Sequence, residues 1–307
     1  MRYPEKLKQG DTVGIICPSS PISEERKAQC IDAVEKLGYK VKAADNLTEN
    51  YGGYMAGSGR VRAEWINKMF ADSEIKAIFC IRGGDGSSRM MEYLNFDVIK
   101  NNPKIFVGYS DVTNLHLAIT QNCDLVTFHG PMVSSNMVDS FDVETRNSFF
   151  NAINSRETFE FRNPEGVELK TLKEGKAEGI LTGGNLSLLS ASMGTPYEVD
   201  TEGRILFMEE VCESITKIEK WIYHLRNAGK LKQCSGILLG QFTNIKNYSE
   251  DYDYICCLKD ALAGIEIPVM YDIQSGHGQK LMTIPMGAIC SMDTETETIR
   301  FEREDKH

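Results

Sequence analysis

Short apolar runs alternate with longer stretches of helical spacing through the first half of the chain. Thr12–Cys17 is apolar and stops at Pro18-Ser19-Ser20-Pro21, the pattern of a buried strand and its following loop. Ser23, followed by Glu24 and Glu25, opens an amphipathic stretch to Leu37, and Gly38 closes it as a helix C-cap does. Tyr39–Ala43 reads as a second strand. Arg60–Ala71 carries Trp65, Met69 and Phe70 at helical spacing, and Ile75–Ile81 is a third buried strand running directly into Arg82-Gly83-Gly84-Asp85-Gly86. The pattern then predicts a helix through Met90 and Leu94, a strand over Lys104–Gly108, a helix from Val112 to about Thr120 and a strand over Asp124–Phe128. Strands of this kind, separated by helices, imply βαβ units and a parallel sheet covered on both faces. Such sheets hold their sites at the carboxyl ends of strands, which directs attention to Pro18–Pro21, Arg82–Gly86 and Tyr109–Asp111.

The texture changes after about residue 150. Charged and apolar residues alternate over Arg156–Lys170, as in an exposed or linking β segment, and Asn163-Pro164-Glu165-Gly166 is a turn signal. Strands follow at Gly179–Thr182, Arg204–Met208, Gly236–Leu239 and Val269–Asp272, with one long amphipathic helix from Ser214 to Ala228. The expected division is an α/β domain over 1–155, a linker over 156–170 and a β-rich domain over 171–307.

Composition narrows the class. The 307 residues exceed what one hydrophobic core commonly organises, and 41% hydrophobic with 25% charged residues is ordinary globular usage. Forty-four acids against thirty-four bases give a net charge of −10 without a Lys/Arg cluster, which disfavours binding to nucleic acid or a membrane surface. No window approaches eighteen consecutive apolar residues, and Met1–Asp11 lacks the apolar core of a signal peptide. The nine cysteines form no Cys-x-x-Cys pair and sit mostly in apolar runs, the usage of reduced thiols in a cytoplasmic protein rather than of a disulfide framework or zinc site.

Four features offer chemistry, each beside a plainer reading. Gly83-Gly84-Asp85-Gly86 can turn backbone N–H groups towards a phosphate or a developing oxyanion, or can be a tight turn only. It also resembles the nucleotide-binding signature of the NAD-kinase and lipid-kinase superfamily, although it is neither a Walker A loop nor a Rossmann fingerprint. Ser110 stands where a strand meets a helix, as a nucleophile or as a helix cap, and Gly108-Tyr109-Ser110-Asp111-Val112 lacks the second glycine of a hydrolase elbow. Among the five histidines, His116 and His224 fall within helices, His307 is terminal, and His129 ends a strand in Phe128-His129-Gly130-Pro131. His277, flanked by glycines in a loop, is the best candidate base. Glu209 and Glu210 end the apolar strand Ile205–Met208, where a carboxylate can orient a histidine or simply precede the next helix. Spacing alone does not join Ser110, Glu209 and His277.

A longer set of motifs does. Ser58-Gly59-Arg60-x-Arg62, Phe70-Ala71-Asp72, Ile75-Lys76-Ala77-Ile78, Arg82-Gly83-Gly84-x-Gly86 and Pro103–Thr113 strongly resemble the LD-carboxypeptidase family of serine peptidases. That family includes muropeptide-recycling tetrapeptidases and microcin-immunity peptidases. Phe128–Met132, Gly183-Gly184-Asn185-Leu186, Leu206–Glu210 and Gly276-His277-Gly278 extend the resemblance over nearly the whole chain in the family's order. It implies a flavodoxin-like or glutamine-amidotransferase-like N-terminal domain carrying the serine, and a smaller β-rich domain carrying the glutamate and histidine. The family's Ser–Glu–His triad maps onto Ser110, Glu209 and His277, and its oxyanion amides onto Gly84 and Asp111. Arg82, Gly83, Asp85, His129 and Asn185 become candidate substrate contacts. Asp85 replaces the tyrosine usual in the family, which bears on substrate fit more than on reaction type.

The implied reaction releases terminal D-Ala from a peptidoglycan-derived tetrapeptide, with no metal or organic cofactor. A small peptide is then the partner, in a cytoplasmic homodimer, with diaminopimelate or lysine at the third peptide position. A microcin-immunity peptidase acting on a peptidyl-nucleotide amide is the nearest rival. A phosphotransferase built on Gly83–Gly86 and a non-catalytic binding protein are rivals from other classes.

Overall fold

A computed structural model describes residues 1–155 and 157–303. Arg156, placed at the start of the linker by the sequence reading, and His307 lie outside the described residues. The chain divides into two compact units, the first comprising Met1–Ser155 with Thr283–Gly287, the second covering residues 157–282 and 288–303 of the described chain.

The first unit is built on strands β1 (Thr12–Ile16), β2 (Lys40–Ala43), β3 (Ile75–Cys80), β4 (Ile105–Gly108) and β5 (Thr127–His129). Helices α1 (Glu24–Lys36), α2 (Gly59–Ala71), α3 (Phe96–Asn101), α4 (Thr113–Cys123) and α5 (Val143–Asn154) alternate with or follow them. The strands pair in the order β2-β1-β3-β4-β5, all parallel. That is the flavodoxin-like doubly wound order, and its switch point lies at β1 and β3. β4 is apolar and buried at every position, as expected where both sheet faces are covered. A sixth strand, Ile284–Met286, joins the β5 edge antiparallel from far along the chain.

Helix starts follow local capping chemistry. Ser23 accepts the Arg26 N–H ahead of α1, whose first turn carries Glu24 and Glu25. Ser58 likewise caps α2 through the Val61 N–H. Two sequence expectations change. The helix expected through Met90 and Leu94 is a 3₁₀ segment, Ser87–Tyr93, followed by α3, because the Asn95 side chain caps a new helix at Val98. Asp124 belongs to no strand; its left-handed φ of 55° ends α4.

The second unit holds β6 (Phe159–Glu160), β7 (Lys170–Lys173), β8 (Lys176–Asn185), α6 (Leu186–Ala191), β9 (Ile205–Val211), α7 (Ile215–Asn227) and α8 (Lys230–Gln233). Then come β10 (Gly236–Thr243), α9 (Tyr254–Ala261), β11 (Val269–Tyr271), β13 (Ile289–Asp293) and β14 (Thr298–Glu302), the Ile284–Met286 strand being β12. One mixed sheet runs β6-β14-β13-β8-β9-β10-β11-β7, parallel from β8 to β11 and antiparallel on both flanks. Of the described residues in the alternating segment 156–170, Phe159–Glu160 pairs with β14 and Lys170 opens β7, pairing with Tyr271 of β11. Among the described residues, no helix is long and apolar enough to cross a membrane.

Candidate active site

In the first unit the loops after β1, β3 and β4 meet at the carboxyl end of the sheet. Ser110 follows β4 with φ at 65°, a left-handed conformation that costs a non-glycine residue of the order of 1 kcal/mol or more. It does not cap the helix: the capping positions are Tyr109 for the 3₁₀ turn Ser110–Val112 and Val112 for α4, neither through a side-chain bond. The turn instead presents a half-buried serine at the mouth of the parallel sheet.

Gly83 is a glycine because Ser110 needs the space. A Cβ there would lie 2.8 Å from Ser110 Cβ and 2.9 Å from its Oγ. The glycine-rich loop is therefore moulded to the serine, with Gly84 at a φ of 129°. Asp85 and Arg82 are exposed on the same loop. His129 sits elsewhere than a substrate contact would: it has no exposed surface, and its ring packs 5.8 Å from Tyr109 and 6.3 Å from His116. Its position supports the segment leading to Ser110.

The Asp111 side chain, also buried, accepts from the Ser19 hydroxyl at 2.6 Å and from the Ser87 amide and hydroxyl, each at 2.9 Å. Burial raises its pKa above the ordinary carboxylate value, and these hydrogen bonds act against that rise. Beneath it, His116 Nε2 donates to the Gly108 carbonyl and Nδ1 accepts from Thr127, both at 2.8 Å. Complete burial pushes the His116 pKa down to about 4, so it is neutral near pH 7.

In the second unit, β9 delivers two buried carboxylates. Glu209, with no exposed surface, accepts from His277 Nδ1 at 2.7 Å. Glu210 turns to the Ser187 amide at 2.8 Å, its neighbour Val211 at 2.9 Å and the Asn185 amide group at 3.0 Å. Asn185 also reaches Glu209 at 3.3 Å, so it organises the glutamates from β8 rather than offering an open contact. Burial disfavours the His277 cation, but the Glu209 charge, its hydrogen bond and the Glu210 charge together outweigh that and raise the imidazole pKa. With Nδ1–H committed to Glu209, the neutral ring carries its lone pair on Nε2.

Gln241, on the neighbouring β10, holds the histidine loop. Its Oε1 accepts the Gly278 amide at 2.7 Å, and its Nε2 donates to Gln274 at 2.9 Å and to the Lys280 carbonyl at 3.1 Å. A Cβ at Gly278 would overlap that side chain at 2.0 Å. A cavity of about 430 Å³ borders the same loop, lined by Gln241, Phe242, Tyr254, Asp272 and Gln274 among others. The sequence pointed to the loop that holds Ser19 but not to Ser19 itself, and it gave no signal for Ser87 or Gln241, whose partners lie far away in the chain. Among the described residues, no group of three or more His, Cys, Asp or Glu side chains is arranged to hold a metal ion.

Comparison with known proteins bears on both units. Residues 13–130 match the model of the LD-carboxypeptidase N-terminal domain, and residues 178–292 that of the LD-carboxypeptidase C-terminal domain. The probable murein peptide carboxypeptidase of Bacillus subtilis (strain 168) is 38% identical over 303 residues, covering 97% of this chain and 94% of that protein. A crystal structure of muramoyltetrapeptide carboxypeptidase from Oxalobacter formigenes superposes with a TM-score of 0.82 at 26% identity, covering 94% of this chain and 97% of that one. The microcin C7 self-immunity protein MccF, in its wild-type apo state, superposes with a TM-score of 0.90 at 25% identity, covering 98% of each chain.

Proposed function

Because this chain belongs to the LD-carboxypeptidase family, we propose that it is a serine-type LD-carboxypeptidase releasing terminal D-Ala from peptidoglycan-derived tetrapeptides. Ser110 is the nucleophile, His277 the general base and acid, and Glu209 the carboxylate that orients the imidazole. The observation that carries the reading is Ser110 itself, held at a left-handed φ of 65° at a parallel-strand end against a glycine-rich loop. The Glu209–His277 pair supplies the matching base chemistry.

In the reaction, His277 Nε2 takes the Ser110 hydroxyl proton as Oγ attacks the carbonyl carbon of the L,D-amide bond. The backbone amides of Gly84 and Asp111 receive the negative charge of the tetrahedral intermediate. Glu209 stabilises the imidazolium, which then protonates the departing amine of D-Ala. Water, deprotonated by His277, attacks the acyl-serine and frees the shortened peptide.

A tetrapeptide with diaminopimelate or lysine at its third position tests this. The wild-type enzyme should release D-Ala, and Ser110→Ala should keep its fold yet lose about 10³-fold or more in kcat, as removal of a triad nucleophile does. Near-wild-type release by that variant would end the assignment. The likeness to MccF, which was also solved with aspartyl sulfamoyl adenosine, favours one second reading: the same machinery acting on an acyl-nucleotide amide. Turnover of that compound in preference to the tetrapeptide would select it.

A further inference from the structure

Arg62 belongs to the Ser58-Gly59-Arg60-x-Arg62 motif, and the proposed reaction leaves it without a task. It is only 1% exposed, an unusual state for an arginine. From α2 its guanidinium donates to three carbonyl oxygens: Pro18 after β1, Gly86 in the glycine-rich loop at 2.9 Å, and Gly57 at 3.1 Å. A buried cation served by neutral acceptors needs a countercharge close by.

Asp111 supplies it through the same two loop positions. The Gly86–Ser87 peptide unit gives its carbonyl to Arg62 and its N–H to the Asp111 carboxylate at 2.9 Å. One peptide dipole is therefore aligned between a buried cation and a buried anion. Pro18-Ser19 repeats the pattern, with the Pro18 carbonyl on Arg62 and the Ser19 hydroxyl on Asp111 at 2.6 Å. Asn114 completes the set by donating to the Ser87 hydroxyl at 2.8 Å. Burial lowers the Arg62 pKa and raises that of Asp111, and the Asp111 charge acts to restore the arginine.

We propose that Arg62 and the Asp111 side chain are a positioning pair that acts through the Gly86–Ser87 peptide and Pro18-Ser19 to hold the glycine-rich loop in register with Ser110. The inference rests on the serine-peptidase reading, because what the loop then carries is the oxyanion site. Neither side chain touches substrate. Asp111 follows Ser110 directly, so anchoring its carboxylate also holds the strained serine backbone.

The test uses Arg62→Met, Asp111→Asn and the double variant, each checked for folding by thermal melting. Each single variant should lose about 10²-fold in kcat for D-Ala release, the scale of an ångström's misplacement, with KM and the acid limb of the pH profile unchanged. Amide hydrogen exchange over residues 83–87 should quicken in both. The double variant should lose no more than the worse single one, because both act on one loop. A raised KM with kcat intact, fully multiplicative losses, or exchange unchanged at 83–87 would overturn the proposal. If the wild-type enzyme releases no D-Ala, the functional reading falls, while the exchange measurement still decides the clamp. Should the charge variants fail to fold, Ser19→Ala and Ser87→Ala remove only the hydroxyl links and carry the same two readouts.

Discussion

His277 titrates against a glutamate that has no exposed surface. Burial works against its cation, yet the Glu209 and Glu210 charges raise its pKa above the ordinary 6.5. In its proposed role as base His277 must be neutral to act, so the acid limb of kcat/KM is expected above that value. Glu209→Gln removes the charge and its orienting effect. The limb should then move to lower pH while kcat falls by up to about 10⁴-fold, the loss typical of turning a triad carboxylate into an amide. A pH–rate profile on the two proteins checks both; a limb that stays in place would show that Glu209 does not set the base.

The glycine-rich loop earns its composition from the element beside it. Gly83→Ala would press a methyl group against Ser110 Cβ and Oγ. Labelling of Ser110 by a serine-reactive phosphonate should slow by about 10²-fold, since small misplacements at a nucleophile cost that much. The melting temperature should change far less than the labelling rate, and wild-type labelling would contradict the close approach. Elements β1, β3 and β4 were legible in the sequence because their apolar runs stop at Pro or Gly loops. Strand β12 was not: Ile284-Pro285-Met286 is short, contains proline and pairs with β5 across the chain's length. The β13–β14 pair was not read either, for a related reason: both strands are five residues long, and β13 is set in place by antiparallel pairing with β8, far earlier in the chain.

At the level of the molecule, two histidines shape stability in opposite directions. His116 is neutral in the folded state down to about pH 4, whereas the unfolded chain takes up the proton near 6.5. Stability from this group therefore falls as pH drops through that window. His277 does the reverse: its raised pKa adds stability that is full below 6.5 and lost as pH climbs through the folded value. Urea midpoints at pH 7 and pH 5 should show a steeper acid loss for the wild type than for His116→Gln. Equal slopes would contradict a buried neutral imidazole. All nine cysteines are free thiols, seven of them buried, and burial holds those of Cys30 and Cys123 up at about 11. Those two thiols therefore remain protonated near neutral pH.

Strands β1 to β5, helices α1, α2 and α4, the three loops at the sheet's carboxyl end and the resemblance to LD-carboxypeptidases were legible in the sequence alone. Periodicity, glycine and short motifs are local properties, readable without knowing what packs where. Only the tertiary structure decided that Glu210 turns away to Ser187, Val211 and Asn185, that His129 and Asn185 lie buried, and that Arg62 is enclosed. An arginine on an amphipathic helix looks solvated in sequence. Its burial depends on carbonyls from residues 18, 57 and 86 and on the Asp111 charge, which come together only when distant segments fold onto one sheet end.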